Sequence, residues 1–396
     1  MAENMRFFLT SIPLFVLSIV LLPAHSHAYG SGGHPGYSIQ PGQANDRQET
    51  TLIDIRKMSR LQDIIKTLTT RQAIYIGESH QQYSHHIAQL DIIKALHKQH
   101  PDIAIGMEMF QQPFQQHLDA FIQGKITARE MLRRTEYFSR WGYDYRLYQP
   151  ILEFARANKI PVIALNIEKE ISTMVSKLGI DGLDKATRTK IPLEIDMSNQ
   201  DYRQRLQQVY NQHPTRENDD FERFLQVQIL WDESMASRVS AYLQQHPESK
   251  MVILAGTGHV AFGHGIPDRV SRRTAIDSAI IIPGDGEQVE PGIGDYIIYP
   301  RSASLPKRAL MGILMGEDSQ SGIAVKGLSD DSAAARAGIK KDDRILRINT
   351  AKITSRADVR LALLEMKPGD EITVLVNRSR LLLDDEKFEL KLVLGP

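Results

Sequence analysis

The chain has 396 residues, 42% hydrophobic and 24% charged, enough for two domains and a substantial core and too apolar for a disordered chain. Lys plus Arg number 48 and Asp plus Glu number 48, so no net charge draws nucleic acid or an anionic membrane surface. There is no cysteine, which excludes disulfides, Cys-ligated zinc, iron–sulfur clusters, thiol nucleophiles and lipid attachment through an N-terminal Cys. Any metal must be held by His, Asp, Glu or Tyr.

The first residues read as a targeting segment. Arg6 gives a positive start, and Phe7 to Leu22 is apolar but broken by Thr10, Ser11, Pro13 and Ser18. Ser26 and Ala28 supply small residues at the −3 and −1 positions of a cleavage site. The run is short and interrupted for a span of about 20 residues. Residues 1–28 are therefore expected to be a signal peptide, and the protein to be exported, periplasmic or envelope-associated, and not a lipoprotein. Residues 29–50 are rich in Gly, Pro, Ser and Gln and read as a flexible leader.

From 51 to 302 short apolar runs alternate with longer amphipathic ones. Strands are predicted at Ala73–Ile76, Ile103–Ile105, Val162–Leu165 and Met251–Ala255. Helical spacing is read over Tyr83–Gln99, through Gln115–Phe138, over Ile151–Ala157 and over Asp220–Gln245. Strands separated by helix-length segments argue for an α/β fold, a mainly parallel sheet flanked by helices. From 303 to 396 the runs shorten and turns crowd together, predicting a small β-rich domain. Its strands are expected at Ile313–Met315, Ile323–Lys326, Arg344–Ile348, Glu371–Val376 and Phe388–Val393, with short helices at Ala333–Ala337 and Arg356–Leu364.

Ligands of open parallel sheets bind beyond the carboxyl ends of the strands. There the sequence offers Gly77-Glu78-Ser79-His80, Gly106-Met107-Glu108 and Gly256-Thr257-Gly258-His259. The repeated Gly-x-x-His pattern suits general acid–base work or a divalent metal held by oxygen and imidazole. His85 and His86 open a helix, where histidines usually face solvent. Gln228 and Asp232, i and i+4 on the long helix, are expected to hydrogen-bond to each other. Trp141, Tyr143, Tyr145 and Tyr148 form an aromatic segment that either packs on the sheet or presents a flat surface to a planar cofactor, with phenol and imidazole both able to ligate haem iron. Ser79 lies in Gly-Glu-Ser-His and no Gly-x-Ser-x-Gly elbow occurs, which argues against a serine hydrolase of the usual kind.

Residues from about 65 to 275 resemble the ChaN-like haem-binding uptake proteins of the Tiki/TraB/erythromycin-esterase-like superfamily. The resemblance rests on IYIGESHQQYSHH (74–86), IGMEMFQQPFQ (105–115), WGYDYRLYQPILEFA (141–155), PVIALNI (161–167), QILWDESMA (228–236) and VILAGTGHVAFGHGIPDR (252–269). It implies an α/β core with a helical subdomain, a role in iron or haem uptake, and haem as cofactor, with haems paired in a homodimer. It also implies iron contacted through Tyr143, Tyr145 or Tyr148, with His80, His85 and His86 as further haem-binding candidates. The wider superfamily includes hydrolases, for which Glu78, His80, Glu108 and His259 would be the catalytic set, assisted by a divalent metal or by acid–base chemistry alone. Haem binding is the favoured reading and the hydrolase is the alternative. Residues 303–396 resemble a bacterial-type PDZ domain through GIAVKGLSDDSAAARAGIKKDDRILRINTAKI (322–353). The resemblance implies a peptide or protein C-terminus as partner, received by Leu310, Met311, Gly312, Ile313 and Leu314.

Overall fold

The computed structural model describes residues 55–212, 220–284, 290–380 and 383–396. The expected signal peptide and leader lie outside the described residues. Among the described residues no helix is long and apolar enough to cross a membrane.

Strands β1 (Ala73–Glu78), β2 (Ile103–Gln111), β3 (Val162–Asn166), β4 (Lys250–Gly256), β5 (Ser278–Pro283) and β6 (Tyr296–Ile298) form one sheet in the order β3-β2-β4-β1-β5-β6. The pairs β1–β4, β1–β5, β2–β3 and β5–β6 are all parallel. All six residues of β1 are buried, and so are eight of nine in β2. Strands covered on both faces lose polar alternation and read as continuous apolar runs. Helices supply the covers. The helix Tyr83–Gln99 returns from β1 with Ile92, Ile93 and Leu96 fully buried. The helix Phe221–Gln245 leads into β4 and is capped by the Asp220 side chain, which accepts the Glu222 N–H.

The C-terminal region is an antiparallel sheet of β7 (Ile313–Met315), β8 (Ile323–Leu328), β9 (Arg344–Ile348), β10 (Ala351–Lys352), β11 (Glu371–Arg380) and β12 (Leu383–Val393). Its order is β12-β11-β9-β8-β7, with β10 paired to β9, so β7 is an edge strand. Ile323, Val325, Ile345, Val374 and Val376 are fully buried, packed with Val359 of the helix Arg356–Ala362. The buried Asp343 carboxylate accepts the Lys340 N–H and two bonds from Arg378, fixing the turn before β9.

By packing, the described residues fall into two compact units. One comprises 104–173 with 302–396; the other comprises the described residues up to Ile103 with Met174–Arg301.

Three local readings are corrected. β2 runs on to Gln111, so Glu108 lies inside a strand rather than in a loop after one. The helical stretch expected through Gln115–Phe138 is broken into Gln115–Ile122, Ala128–Arg134 and a turn beginning at Tyr137. Lys125 N–H returns to the Ala120 carbonyl and Gly124 takes a positive φ of 77°, which ends the first piece. The strands β5 and β6 and the helices Gln200–Asn211 and Ile266–Arg273 were not anticipated.

Candidate functional site

The unit containing β1 and β4 carries two carboxylate–imidazole pairs at the carboxyl end of the sheet. Glu78 is the last residue of β1, opposite Gly256 at the end of β4. The chain after β4 comes so close that a Cβ on Gly77 would lie 2.9 Å from Thr257 Oγ1, so the first glycine of the motif is a packing requirement.

Glu78 is 1% exposed. Its Oε1 accepts from His80 Nδ1 at 2.8 Å, and its Oε2 accepts from Gln89 Nε2 at 2.9 Å and lies 3.3 Å from His86 Nδ1. His86 Nε2 faces the His80 carbonyl at 3.1 Å, so both of its ring nitrogens address acceptors, the arrangement of an imidazolium. Burial opposes charge on both groups. It is outweighed for Glu78 by the His86 charge and the bond from His80, which hold the carboxyl far below the usual carboxylate range. For His86 burial is outweighed by the Glu78 charge, which raises the imidazole above its ordinary value. His85 Nδ1 accepts the Ser79 N–H at 3.1 Å. His85 and His86 are thus buried rather than solvent-facing. The helix Tyr83–Gln99 starts against the end of β1, where Glu78 needs donors.

The second pair follows β4. His259 Nδ1 donates to Asp232 Oδ1 at 2.7 Å, and Tyr202 OH donates to Asp232 Oδ2 at 2.6 Å. All three are buried. Burial and the Asp232 charge push the Tyr202 phenol well up, so it stays a donor. Asp232 therefore serves His259 and Tyr202 and is not paired with Gln228. The Gln228 amide, 1% exposed, has no hydrogen-bond partner among the described residues. Tyr202 and Asp232 escaped the sequence reading as site residues because they meet across 30 residues from two different helices. Beneath them Glu233 accepts from Arg272 at 2.7 Å, from Arg273 at 2.5 Å and from the Asp196 N–H at 2.9 Å. Arg269 Nε lies 3.1 Å from the same carboxylate.

Glu108 belongs to the other unit. It is 5% exposed, within the stretch of β2 where the register against β3 shifts between Met107 and Gln111. Among the described residues no group of three or more His, Asp or Glu side chains is placed to hold a metal ion.

The aromatic segment divides sharply. Tyr148, Tyr145 and Trp141 are buried at 0%, 2% and 5% exposure. Tyr145 packs edge-on against Tyr137, and its hydroxyl has no hydrogen-bond partner among the described residues. Burial pushes the Tyr145 phenol up, aided by the Glu153 charge, so it resists becoming a phenolate. Tyr143 is only half-buried, its ring 5.4 Å from that of Trp141.

Tyr143 also lines a cavity of about 360 Å³ with Phe138, Asp144, Arg146, Arg308 and residues of the C-terminal domain. Those residues include Met311, Gly312 and Ile313 from the expected peptide loop, and Val359, Arg360 and Leu363 on or just after the helix Arg356–Ala362. Arg146 pairs with Asp144 and donates to the Pro306 carbonyl at 2.6 Å. Arg360 donates to the Gly142 carbonyl at 3.0 Å and lies 5.7 Å over the Phe138 ring. Burial disfavours charge on Asp144, but the bonds and charge of Arg146, with the Arg308 charge, hold its carboxyl below the usual range. Gly312 has φ 75°, and among the described residues no backbone acceptor outside helices and strands takes the N–H of Met311 or Gly312. Leu310 and Leu314 are exposed beside them.

Residues 64–270, just over half of the chain, match the family described as haem-binding uptake, Tiki superfamily, ChaN. The chain belongs to this family. The ChaN-like region is followed by a PDZ domain matched at 309–393. Among solved structures, one described as showing cofacial haem binding to ChaN of Campylobacter jejuni is similar, with TM-score 0.50 and 20% identity over 61% of this chain and 91% of that one. That likeness bears on the fold of the ChaN-like region. Tight junction protein 1 of Mus musculus is 30% identical over 25% of this chain and 6% of its own length. Protein RETICULATA-RELATED 5, chloroplastic, of Arabidopsis thaliana is 23% identical over 60% of this chain and 35% of its own. The chain thus spans a small part of the one curated relative and about a third of the other.

Proposed function

We propose that this ChaN-like protein binds haem with Tyr143 as the iron-contacting residue, and that its PDZ domain docks a peptide C-terminus on the Leu310–Leu314 loop. The observation that carries the haem reading is the contrast among the three tyrosines. Tyr145 and Tyr148 are buried in packing, whereas Tyr143 borders a cavity with aromatic and methionine lining and with three arginines against one aspartate. A cavity of about 360 Å³ falls in the range of roughly 300–1,000 Å³ typical of small-molecule sites. Guanidinium groups suit the propionates of haem, and the Phe138 and Tyr143 rings suit its flat apolar face. Bound there, haem would supply an iron whose ferric state a phenolate favours, which fits capture and handling in iron uptake. Pairing of two haems in a homodimer, and export to the periplasm or envelope, belong to the same proposal.

Titrating ferric haem into the purified protein and recording absorption tests it. A shifted Soret band at one haem per chain is expected, weakened by Tyr143→Phe and unchanged by Tyr148→Phe. A spectrum equal to that of free haem overturns the reading. Sedimentation with and without haem tests the paired arrangement, and cell fractionation tests export.

A second reading is favoured by the two carboxylate–imidazole pairs. Glu78 and Asp232 each orient an imidazole through Nδ1, the arrangement by which a carboxylate prepares a histidine for general-base work. On this reading the protein is a hydrolase using Glu78, His80 and His259. Turnover of an ester or peptide lost in His259→Ala and in Glu78→Gln, with the folded circular dichroism spectrum retained, would support it. Equal turnover in wild type and variants would remove it.

A further inference from the structure

We infer that two copies of this chain pair edge to edge through β12 of the PDZ domain, in one antiparallel register centred on Phe388. The inference goes beyond the proposed function, because this pairing needs no haem.

β12 closes the sheet order at the end opposite β7, so it is an edge strand too. The backbone groups of an edge strand alternate between the neighbouring strand and the outside. The phase is fixed just past the end of β12. Leu394 N–H bonds inward to the Asp370 carbonyl, whereas Gly395 exchanges both of its bonds with Leu310 on the outer side. The register of β12 against β11 is unbroken from Glu386 to Val393. Lys387, Glu389, Lys391 and Val393 therefore turn their N–H and C=O groups outward, as Gly395 does. Such a row is a template for another strand.

The charges on that row select a second copy of the same strand. Asp385, Lys387, Glu389 and Lys391 are all exposed and alternate in sign. Lysine on an edge usually wards off pairing, but this order is self-complementary. With the two-fold axis at Phe388, Lys387 lies opposite Glu389 of the partner subunit, and Glu389 opposite the partner's Lys387. Outside them Asp385 comes opposite the partner's Lys391. Centring the pair on Lys387 or on Glu389 instead sets that residue against its own copy, and like charges directly opposite destabilise a sheet. Lys387 has no ion-pair partner among the described residues. Glu389 lies 3.5 Å from Arg347 and Lys391 lies 3.5 Å from Glu371, exposed pairs that hold their charges weakly. On the other face Phe388, only half-buried against the PDZ core, meets its own copy at a non-hydrogen-bonded position, where facing side chains approach closely. The paired stretch stops short of Gly395, where Leu310 already holds the edge. β7 stays open at the other end of the sheet, so one dimer carries two peptide grooves and can grip a paired partner with avidity.

The test is sedimentation of the haem-free full chain from micromolar to near-millimolar concentration. The wild type is expected to dimerise, and less tightly as salt rises. Lys387→Glu places acids at both central positions, and Glu389→Lys places lysines at both. Each variant alone should self-associate at least about tenfold more weakly than the wild type. Mixed in equal amounts, the two should form a one-to-one dimer, because every central pair then joins opposite signs. That recovery also shows that both variants are folded. A wild type that stays monomeric throughout overturns the inference and makes Lys387 and Lys391 guards of the edge. Dimerisation undiminished in either single variant overturns it, and so does a mixture of folded variants that remains monomeric. None of these outcomes touches the haem reading, since no haem is present.

Discussion

His259 Nδ1 and Asp232 Oδ1 stand 2.7 Å apart at the end of β4, and Tyr202 holds the other oxygen of the same carboxylate. Removing the phenol hydroxyl leaves a buried carboxylate one donor short. Tyr202→Phe should lower stability by about 1–3 kcal/mol, read from the midpoint of urea unfolding with an unchanged slope. A midpoint equal to that of the wild type would mean that Asp232 finds water in place of the phenol.

The Glu78–His86 pair gives stability a dependence on pH with two limbs. Glu78 has a depressed folded value, so its contribution is present above its unfolded value of about 4.3 and fades as pH falls below it. His86 has a raised folded value, so its contribution is complete below its unfolded value of about 6.5 and fades as pH rises through the folded one. Thermal melts across pH 3–9 should show losses on both sides. Glu78→Gln should flatten the alkaline loss and cost roughly 3–5 kcal/mol near pH 6, because a buried imidazolium loses its counter-charge.

Tyr145 offers the opposite case. Its hydroxyl is buried and lacks a hydrogen-bond partner among the described residues, so folding strips it of water without return. Tyr145→Phe is expected to leave stability unchanged or raise it by about 1 kcal/mol, and to leave the haem spectrum as it is. A large loss of the Soret shift in this variant would move the iron contact from Tyr143 to Tyr145.

Gly312 combines a positive φ with close approach, since a Cβ there would lie 2.3 Å from Ser332 Cβ. Gly312→Ala must displace the loop or the start of the short helix behind it. The expected cost is about 1–3 kcal/mol, with peptide retention lost. A melting transition moved downward would be its calorimetric sign.

The α/β class, the PDZ domain and the elements with clear periodicity were legible in the sequence. Tyr83–Gln99 is found with the boundaries expected, and so are Ile313–Met315 and Arg344–Ile348. The length of β2 was hidden because Gly106 looks like a turn residue, yet a strand buried on both faces tolerates it and runs on to Gln111. Burial of His85 and His86 was hidden for a different reason. Their position at a helix start says solvent, and only the placement of Glu78 supplies the charge that draws His86 inside. The partner of His259 was invisible because Asp232 reaches it from a helix remote in the chain, held in turn by Tyr202 from another. The three tyrosines share one short motif, and burial alone separates Tyr143 from the others.

Glu233 is fully buried, and Arg269, Arg272 and Arg273 of one short helix gather on it. That helix cannot lift away without stranding a carboxylate in an apolar setting, so it has no inexpensive route to local opening. Its amide hydrogens should therefore exchange with deuterated solvent at the slowest rate in their unit. The turn carrying His259, which the helix follows, inherits the same stiffness.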